Sequence, residues 1–133
     1  MQRNSLKEII IKTIPHRRQR YETCGDYFNN GKGVTIHISQ FNNPDYEFAI
    51  AVHELIEWYL TKKRGIKIKE IDNFDMAFKG EGEPGDSKDA PYYWEHQFAT
   101  DIEKQVIYEL GIPWDVYESD VDAISSSHED DHP

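Results

Sequence analysis

The chain is poor in cysteine, since Cys24 is the only one among its 133 residues. A single cysteine excludes an intramolecular disulfide, which fits a reducing compartment such as the cytoplasm. The sequence also ties no base to Cys24, so a catalytic thiolate has no support in the pattern. We therefore expect a cytoplasmic protein in which Cys24 is structural or incidental.

Long apolar runs are also missing. No stretch approaches the roughly 20 apolar residues that span a bilayer, and the first residues lack the pattern of a signal peptide. We therefore expect no membrane partner. The 38% hydrophobic and 13% aromatic content instead predicts one domain with one core.

The chain also has few basic residues, with 15 Lys and Arg compared with 25 Asp and Glu. The net charge of −10 argues against general nucleic-acid binding. The basic residues nevertheless concentrate in the arm formed by residues 1–20. One interpretation of this arm is contact with phosphate. The other is a solvated strand edge, or a face that docks onto the protein's own acidic surface.

The first 40 residues predict a small β-sheet. Residues 6–14 are rich in isoleucine, which favours a strand, and Pro15 ends it. Residues 21–39 predict a hairpin around the Asn- and Gly-rich turn at 29–33. His37 falls on the polar side of the second hairpin strand, where a solvent-facing position is the ordinary one.

Residues 43–65 predict one long helix with both ends marked. Asn43 is a suitable N-cap, Pro44 suits the first turn, and Gly65 can adopt the left-handed conformation that ends a helix. At about 1.5 Å per residue this helix would be roughly 30 Å long, enough to cross a small domain.

A polar pair borders the predicted apolar face of this helix. His53 and Glu57 are four residues apart, so their side chains stack on one side. An imidazole and a carboxylate without partners would be costly at the margin of a buried face. The apolar residues predicted to be buried beside them are Phe48, Ala49, Val52, Leu55, Ile56, Tyr59 and Leu60.

The sequence around this pair is HELIE, which matches the zinc-protease signature HExxH except that Glu57 replaces the second histidine. In that signature the first and last residues bind zinc, and the glutamate at the position of Glu54 activates water. A carboxylate oxygen binds zinc at about the same distance as an imidazole nitrogen. The pattern therefore predicts either a metal site or a satisfied His–Glu pair on a half-buried helix.

A second long helix is predicted over residues 89–110, after a short helix at 70–78 and a loop at 79–88. Asp89 is its expected N-cap, and Gly111 follows its last turn. The loop before it has little material for packing, so a plain surface connection is expected there.

Two ionisable residues, Glu95 and His96, lie on or beside the apolar face of the second helix. Ionisable groups at such positions need partners. We expect His96, or alternatively Glu95, to complete a site with the first helix; a structural polar network is the other interpretation. The apolar residues that define this predicted face are Phe98, Ala99, Ile102, Val106 and Leu110.

The end of the chain, residues 119–133, is acidic and has no apolar residue between Ile124 and Pro133. We expect it to be disordered and dispensable for folding, which leaves residues 1–118 as the folded domain. His128 and His132 are interpreted as solvent-exposed.

The order of these segments resembles that of small phage and prophage proteins with a zincin-like HExxE helix. The resemblance covers roughly residues 20–115 and rests on CGDY with GVTIHIS, on AVHELIEWYL, and on DAPYYWEHQFATDIEKQVIYELG. It implies an α+β, zincin-like domain in which a short sheet packs on the HExxE helix. The following helix would then supply the third metal ligand.

Carried over by position, the resemblance implies that His53, Glu57 and His96 bind Zn²⁺ and that Glu54 is the general base. Well-characterised zinc proteases have a histidine where Glu57 stands, and often a glutamate where His96 stands. This chain thus has the same ligand types as those proteases, two histidines and one glutamate, but in a different order along the sequence.

The function predicted from the resemblance is that of a zinc-dependent hydrolase, in the first place a peptidase. An extended peptide substrate would pair with the strand at residues 34–38, and Tyr92 or Tyr93 would stabilise the oxyanion. One alternative is a non-catalytic phage accessory or binding protein on the same scaffold, with or without a structural metal. Another is a nucleic-acid accessory protein that acts through the basic arm. A phage origin would place the protein in the cytoplasm of a bacterial host.

Overall fold

The computed structural model describes residues 7–127, which form three strands and four α-helices. The strands are β1 (Glu8–Ile14), β2 (Gly25–Asn29) and β3 (Gly33–Ser39). The helices are α1 (Pro44–Lys63), α2 (Ile68–Ala77), α3 (Tyr93–Glu109) and α4 (Trp114–Ser126), with short 3₁₀ turns at His16–Arg18 and Pro84–Asp86. The α+β class expected from the sequence is confirmed.

The predicted hairpin is confirmed as the antiparallel pair β2–β3. β1 runs parallel to β3, and the order of strands in the sheet is β1-β3-β2. β3 is therefore the central strand of a mixed sheet. Within residues 7–127, no strand pairs with the outer edge of β2.

α1 forms as its end signals predict. The Asn43 Oδ1 atom accepts a hydrogen bond from the Asp45 amide at 2.9 Å, and Pro44 begins the helix. The chain leaves α1 through Gly65, whose φ of 76° lies in the left-handed region that favours glycine.

The buried face of α1 differs from the predicted one, because the helix lies against both the sheet and α3. Phe48 and Tyr59, both assigned to the buried face, are 58% and 50% exposed. On the inward side, His53 and Glu57 meet partners on neighbouring elements, which offsets their desolvation. Among the ionisable residues in the described part of the chain, Glu54 contacts only His53 of the same helix. The buried residues of α1 are Tyr46, Ala49, Ile50, His53, Glu54, Glu57, Trp58 and Thr61.

α3 shows the same pattern. Phe98 and Leu110, predicted to be buried, are 51% and 39% exposed. The helix also begins at Tyr93 rather than near Asp89, because the preceding residues form turns. Its inward side carries Glu95, His96, Ala99, Glu103 and Ile107.

The prediction that the chain is disordered from Ser119 is wrong for the described residues, because α4 continues to Ser126. Tyr117 is 1% exposed, and Val121 and Ile124 pack against the core. These three residues are spaced by four and three positions, so they share one side of a helix, and acidic residues can occupy the other side. The folded part of the chain therefore extends beyond residue 118.

A hydrogen bond also holds α4 to the long helix. The Tyr46 hydroxyl of α1 donates to Asp120 Oδ2 of α4 at 2.6 Å. The interpretations given to His128 and His132 lie outside the described residues.

The core fills the space between the sheet and the inward sides of the helices. No helix within residues 7–127 is both long and apolar enough to cross a membrane. The hydrophobic residues of the core with no exposed surface are Val34, Ile36, Ile38, Ala49, Ala99 and Ile107.

Candidate metal centre

α1 places the two ends of the HELIE motif on its inward side. His53 and Glu57 are 5% and 4% exposed, and His53 Nε2 lies 2.9 Å from Glu57 Oε2. Their spacing of four residues brings the side chains together on consecutive turns. Because water barely reaches them, both groups depend on partners within the protein.

α3 supplies a second imidazole from the opposite side. His96 Nδ1 lies 2.8 Å from the Glu57 Oε2 atom that also contacts His53. The centroids of the two imidazole rings are 4.8 Å apart. The structure therefore brings together the three residues that were predicted as metal ligands.

β2 fixes the remaining oxygen of the shared carboxylate. The Tyr27 hydroxyl donates a hydrogen bond to Glu57 Oε1 at 2.9 Å. Both oxygens of Glu57 are therefore held, one by the sheet and one by the two histidines. The carboxylate has little freedom to rotate away from the imidazoles.

Glu103 of α3 is a member of the cluster that the sequence reasoning missed. Its Oε1 atom lies 2.7 Å from His53 Nδ1, and its Oε2 atom accepts a hydrogen bond from the Tyr117 hydroxyl of α4. The Nδ1 atom has no hydrogen bond within the described residues, so its contact with Glu103 is electrostatic. Glu103 follows His96 by seven residues, or two helical turns, and this spacing could have revealed it.

Glu54 lies beside the cluster without joining it. Its Oε2 atom is 3.7 Å from His53 Nε2. The β2 backbone passes so close that a Cβ atom on Gly25 would lie 2.6 Å from Glu54 Cγ. Glycine at this position therefore leaves the room that the Glu54 side chain occupies.

The cluster forms part of the lining of a cavity of about 770 Å³. No Lys or Arg from the described part of the chain lines this cavity. A cavity with this charge attracts cations and disfavours anions. Its lining includes His53 and His96 and the acidic residues Glu22, Asp26, Glu54, Glu57, Asp72, Asp75, Glu83, Glu103 and Asp122.

Burial and mutual contacts shift the pKa values in the cluster. Burial alone would raise the pKa of Glu57, but its hydrogen bonds with His53 and His96 lower it to about 2. Burial would lower the pKa of each histidine, yet contacts with carboxylates outweigh this effect and raise it. For Glu54, burial and the charge of Glu57 both raise the pKa. The cluster thus combines one firmly ionised carboxylate with one that takes up a proton more readily.

The donor atoms fit a zinc ion in kind, and those of the three residues lie within 4.8 Å of one another. Two imidazole nitrogens and a carboxylate oxygen are ordinary zinc ligands, and three protein ligands leave one position open. Tetrahedral ligands at about 2.0–2.1 Å from zinc lie roughly 3.3 Å from one another. The 2.8 and 2.9 Å contacts of Glu57 therefore need to widen by only about half an ångström.

Two other candidate residues have different partners. Glu95 is buried, but its Oε2 atom accepts a hydrogen bond from Arg64 Nη1 at 2.8 Å. It therefore does not stand in for His96. His37 lies on the sheet with its ring against Phe28, outside the cavity lining.

Cys24 lines the cavity as a buried thiol, and burial raises its pKa to about 12. A thiol with such a pKa is a poor nucleophile, in agreement with the sequence interpretation. The last residue of the basic arm, Arg20, donates hydrogen bonds to both Asp26 and Asp72. This part of the arm is therefore docked onto the acidic surface of the protein itself.

The prediction that residues 34–38 pair with a substrate is wrong, because both edges of β3 are already bonded to neighbouring strands. Residues 24–27, which include the start of β2, line the cavity instead. Tyr92 also lines the cavity, but its hydroxyl donates to Asp75 Oδ1 at 2.5 Å. Tyr93 lies outside the lining.

None of the protein-family models, curated proteins or solved structures compared with this chain matches it. The zincin-like resemblance therefore remains a hypothesis. Any function has to be inferred from the geometry and chemistry of the site itself.

Proposed function

We propose that the protein is a zinc-dependent amide hydrolase that acts as a peptidase. The observation that carries this proposal is the grouping of His53, Glu57 and His96 around one point of an acidic cavity, with Glu54 beside them. A purely structural polar network would account for His53, Glu57 and His96. It gives no reason for Glu54, a further buried carboxyl group that has no hydrogen bond within residues 7–127.

The ligands of the proposed zinc ion are His53 Nε2, Glu57 Oε2 and His96 Nδ1. A bound zinc ion polarises a carbonyl group and lowers the pKa of water to about 7. Glu103 contacts His53, and the Tyr27 hydroxyl donates a hydrogen bond to Glu57. Contacts of this kind orient ligands and typically change metal affinity by about 10- to 100-fold.

Glu54 is the residue that moves the proton in this proposal. Its carboxylate takes a proton from the water that attacks the scissile carbonyl carbon, and passes it to the nitrogen of the leaving amine as the C–N bond breaks. Its Oε2 atom is close to His53 Nε2, at 3.7 Å, but outside the shared ligand cluster. This position supports a role in proton transfer rather than in metal binding.

The substrate in this proposal is an extended peptide that pairs with the outer edge of β2. A strand edge without a partner offers backbone donors and acceptors to such a peptide. Thr23 Oγ1 already bonds both the amide and the carbonyl of Gly25, so the peptide would pair with this edge from Tyr27 onward. Residues 25–27 line the cavity, which would bring a paired peptide near the cluster. The acidic lining favours peptides with basic side chains near the scissile bond.

The test is cleavage of a peptide library, read by mass spectrometry, with zinc-loaded wild type and the variant Glu54→Gln. Glutamine keeps the shape of the side chain but does not accept the proton. We expect cleavage to fall by about a hundredfold to ten-thousandfold while zinc content and stability stay near the wild-type values. Glu57→Gln is the contrasting variant, because a neutral amide oxygen is a weaker zinc ligand and zinc content should fall.

A non-catalytic binding protein, with or without a structural metal, is the competing function. It is favoured by the completeness of the Glu57 contacts, since both carboxylate oxygens already have partners within the protein. Zinc-loaded wild type that cleaves no peptide, or a Glu54→Gln variant that cleaves equally well, would support that function and refute the peptidase.

A further inference from the structure

The loop at residues 79–88 packs against the candidate metal centre instead of forming a plain surface connection. Its 3₁₀ turn at Pro84–Asp86 lies directly on the imidazole of His96, so that a Cβ atom on Gly85 would be 2.5 Å from His96 Cγ. The turn thereby brings Glu83 and Asp86 to the side of the ring opposite Glu57.

The second nitrogen of His96 points at these two carboxylates. His96 Nε2 lies 3.2 Å from Asp86 Oδ1 and 3.4 Å from Glu83 Oε2. His96 is only 5% exposed, and Nε2 is a buried atom without a hydrogen-bond partner in the described part of the chain. A buried nitrogen lone pair or N–H group in this position is costly unless a cation or a better aligned acceptor satisfies it.

We propose that Glu83, Asp86 and His96 Nε2 form a second site for a divalent cation, next to the first. One imidazole nitrogen and two carboxylate oxygens are a donor set that zinc accepts. The donor atoms already lie within 4.8 Å of one another. The Glu83 and Asp86 side chains are 61% and 57% exposed, so this second cation keeps contact with water.

The charges around the turn also favour a cation. Asp122 of α4 faces the same part of the cavity, and burial together with the charges of Glu83, Glu118 and Asp86 raises its pKa. The one side-chain donor bonded to Asp86 is Gln97 Nε2, at 3.1 Å from Oδ1, within the described residues. A divalent cation would neutralise a group of carboxylates that no Lys or Arg compensates in the described lining.

The second site rests on the proposed zinc site only through the shared histidine. Each ring nitrogen holds one cation, because binding of the second cation displaces the remaining ring proton to solvent. Because these nitrogens face opposite sides of the ring, the two cations lie further apart than the roughly 4 Å of two-metal catalytic pairs. The second cation therefore fastens the loop to α3 and closes one wall of the cavity, without acting on the scissile bond.

The test is zinc titration of the chelator-stripped full-length chain by calorimetry, with elemental analysis of the saturated protein. We expect two zinc ions per chain in the wild type and one in the double variant Glu83→Gln/Asp86→Asn. The matched control is Glu81→Gln/Asp89→Asn, which removes the same charge from exposed positions around the same loop and should still bind two. Glu57→Gln should lose the first site and keep the second.

Proteolysis gives a readout that does not depend on counting ions. Lys79 and Lys88 flank the loop and are exposed, so trypsin can cut on both sides of the turn. Saturation with zinc should slow cleavage at these two lysines in the wild type and in the control variant. It should have no such effect in Glu83→Gln/Asp86→Asn, whose exposed substitutions leave the fold intact.

The proposal is overturned if the wild type saturates at one zinc ion that only Glu57→Gln removes, a result that leaves the proposed peptidase intact. It is equally overturned if the second ion persists in Glu83→Gln/Asp86→Asn. Loss of that second ion in a His128→Ala/His132→Ala variant would assign it to the C-terminal histidines instead. A chain that binds no zinc at all would refute both sites together.

Discussion

At the scale of single residues, a glycine decides where the proposed general base lies. Gly25 is part of β2, and the Glu54 side chain occupies the space that any larger residue at this position would fill. The same strand holds Glu57 through Tyr27. One short strand therefore positions both glutamates of the HELIE motif.

The first prediction concerns Gly25→Ala. The added methyl group would lie 2.6 Å from Glu54 Cγ, so the Glu54 carboxyl has to move while the three ligands keep their contacts. Misplacement of a catalytic group by about 1 Å costs on the order of a hundredfold in rate. We expect peptide cleavage to fall by about this factor with unchanged zinc content.

Gly80→Ala is the matched control, because its added methyl group would meet Phe78 instead of Glu54. This variant should cleave peptides at close to the wild-type rate. Full activity in Gly25→Ala would show that the position of Glu54 is irrelevant to the reaction.

The second prediction concerns Asp75, whose carboxylate accepts hydrogen bonds from Tyr21 and Tyr92. Burial raises its pKa to about 6, and the two tyrosines only partly counteract this effect. A raised pKa means that the folded state binds the proton more tightly than the unfolded state, so the contribution to stability is largest at low pH. It is lost as the pH rises from about 4 through about 6.

Asp75→Asn removes this titration and serves as the reference. The free energy of unfolding of the wild type relative to Asp75→Asn should fall by on the order of 2 kcal/mol between pH 4 and pH 7. Urea unfolding of both proteins across this range measures the difference. A difference that is constant with pH, or that grows as the pH rises, would contradict the assignment.

At the scale of the elements, the sequence predicts what is locally encoded. The N-cap at Asn43 and the turn between β2 and β3 are determined by residues close in the chain, so α1 and the hairpin were predictable. The buried faces were not. Phe48 and Phe98 remain on the surface because Glu57 and His96 satisfy each other inside, and that pairing crosses 39 positions in sequence.

α4 was not predicted, because its acidic composition was given more weight than the helical spacing of its few apolar residues. Its acidic residues suggested disorder, whereas Tyr117, Val121 and Ile124 recur at helical spacing and reach the core. Pro113, immediately before the helix, was a further signal of a helix start. The buried stripe is short, and the helix depends on α3 and α1 for its partners.

The third prediction is that truncation after Glu118 destabilises the protein. It removes the hydrogen bond from Tyr46 to Asp120 and the packing of Val121 and Ile124. Two partly buried aliphatic side chains and one hydrogen bond are worth roughly 2 to 4 kcal/mol. For a domain of this size the melting temperature should fall by roughly 10 °C.

Truncation after Ser127 is the control, since it keeps the whole of α4. Thermal unfolding followed by circular dichroism compares the two truncated chains with the full chain. Equal melting temperatures for the chains that end at Glu118 and at Ser127 would show that α4 contributes nothing to stability.

At the scale of the whole molecule, the fold concentrates negative charge around one cavity. The chain carries a net charge of −10, and the described lining of the cavity includes nine acidic side chains without a Lys or Arg. Arg20 compensates two of them, Asp26 and Asp72, and repulsion among the others favours the binding of positive groups. Cations at the His53–Glu57–His96 group and basic side chains of a substrate are the compensation that we propose.

The three ligand positions were predicted from the motif and the resemblance, and the structure places them together. Glu103 and the β2 edge were not predicted, because they depend on how α3 and the sheet pack around α1. The chemistry of the proposed ligands is thus encoded locally, whereas the residues that support them and the path proposed for a substrate arise from the tertiary structure.

The measurement that tests the central claim most directly is anomalous X-ray diffraction at the zinc absorption edge from crystals grown with zinc. We predict a strong peak within bonding distance, about 2.0–2.2 Å, of His53 Nε2, Glu57 and His96 Nδ1. The peak should be absent in His53→Ala. A wild-type map without a peak at this position, in which Glu57 Oε2 still contacts both imidazoles at 2.8 and 2.9 Å, would show that the cluster is a polar network and would contradict the metal centre.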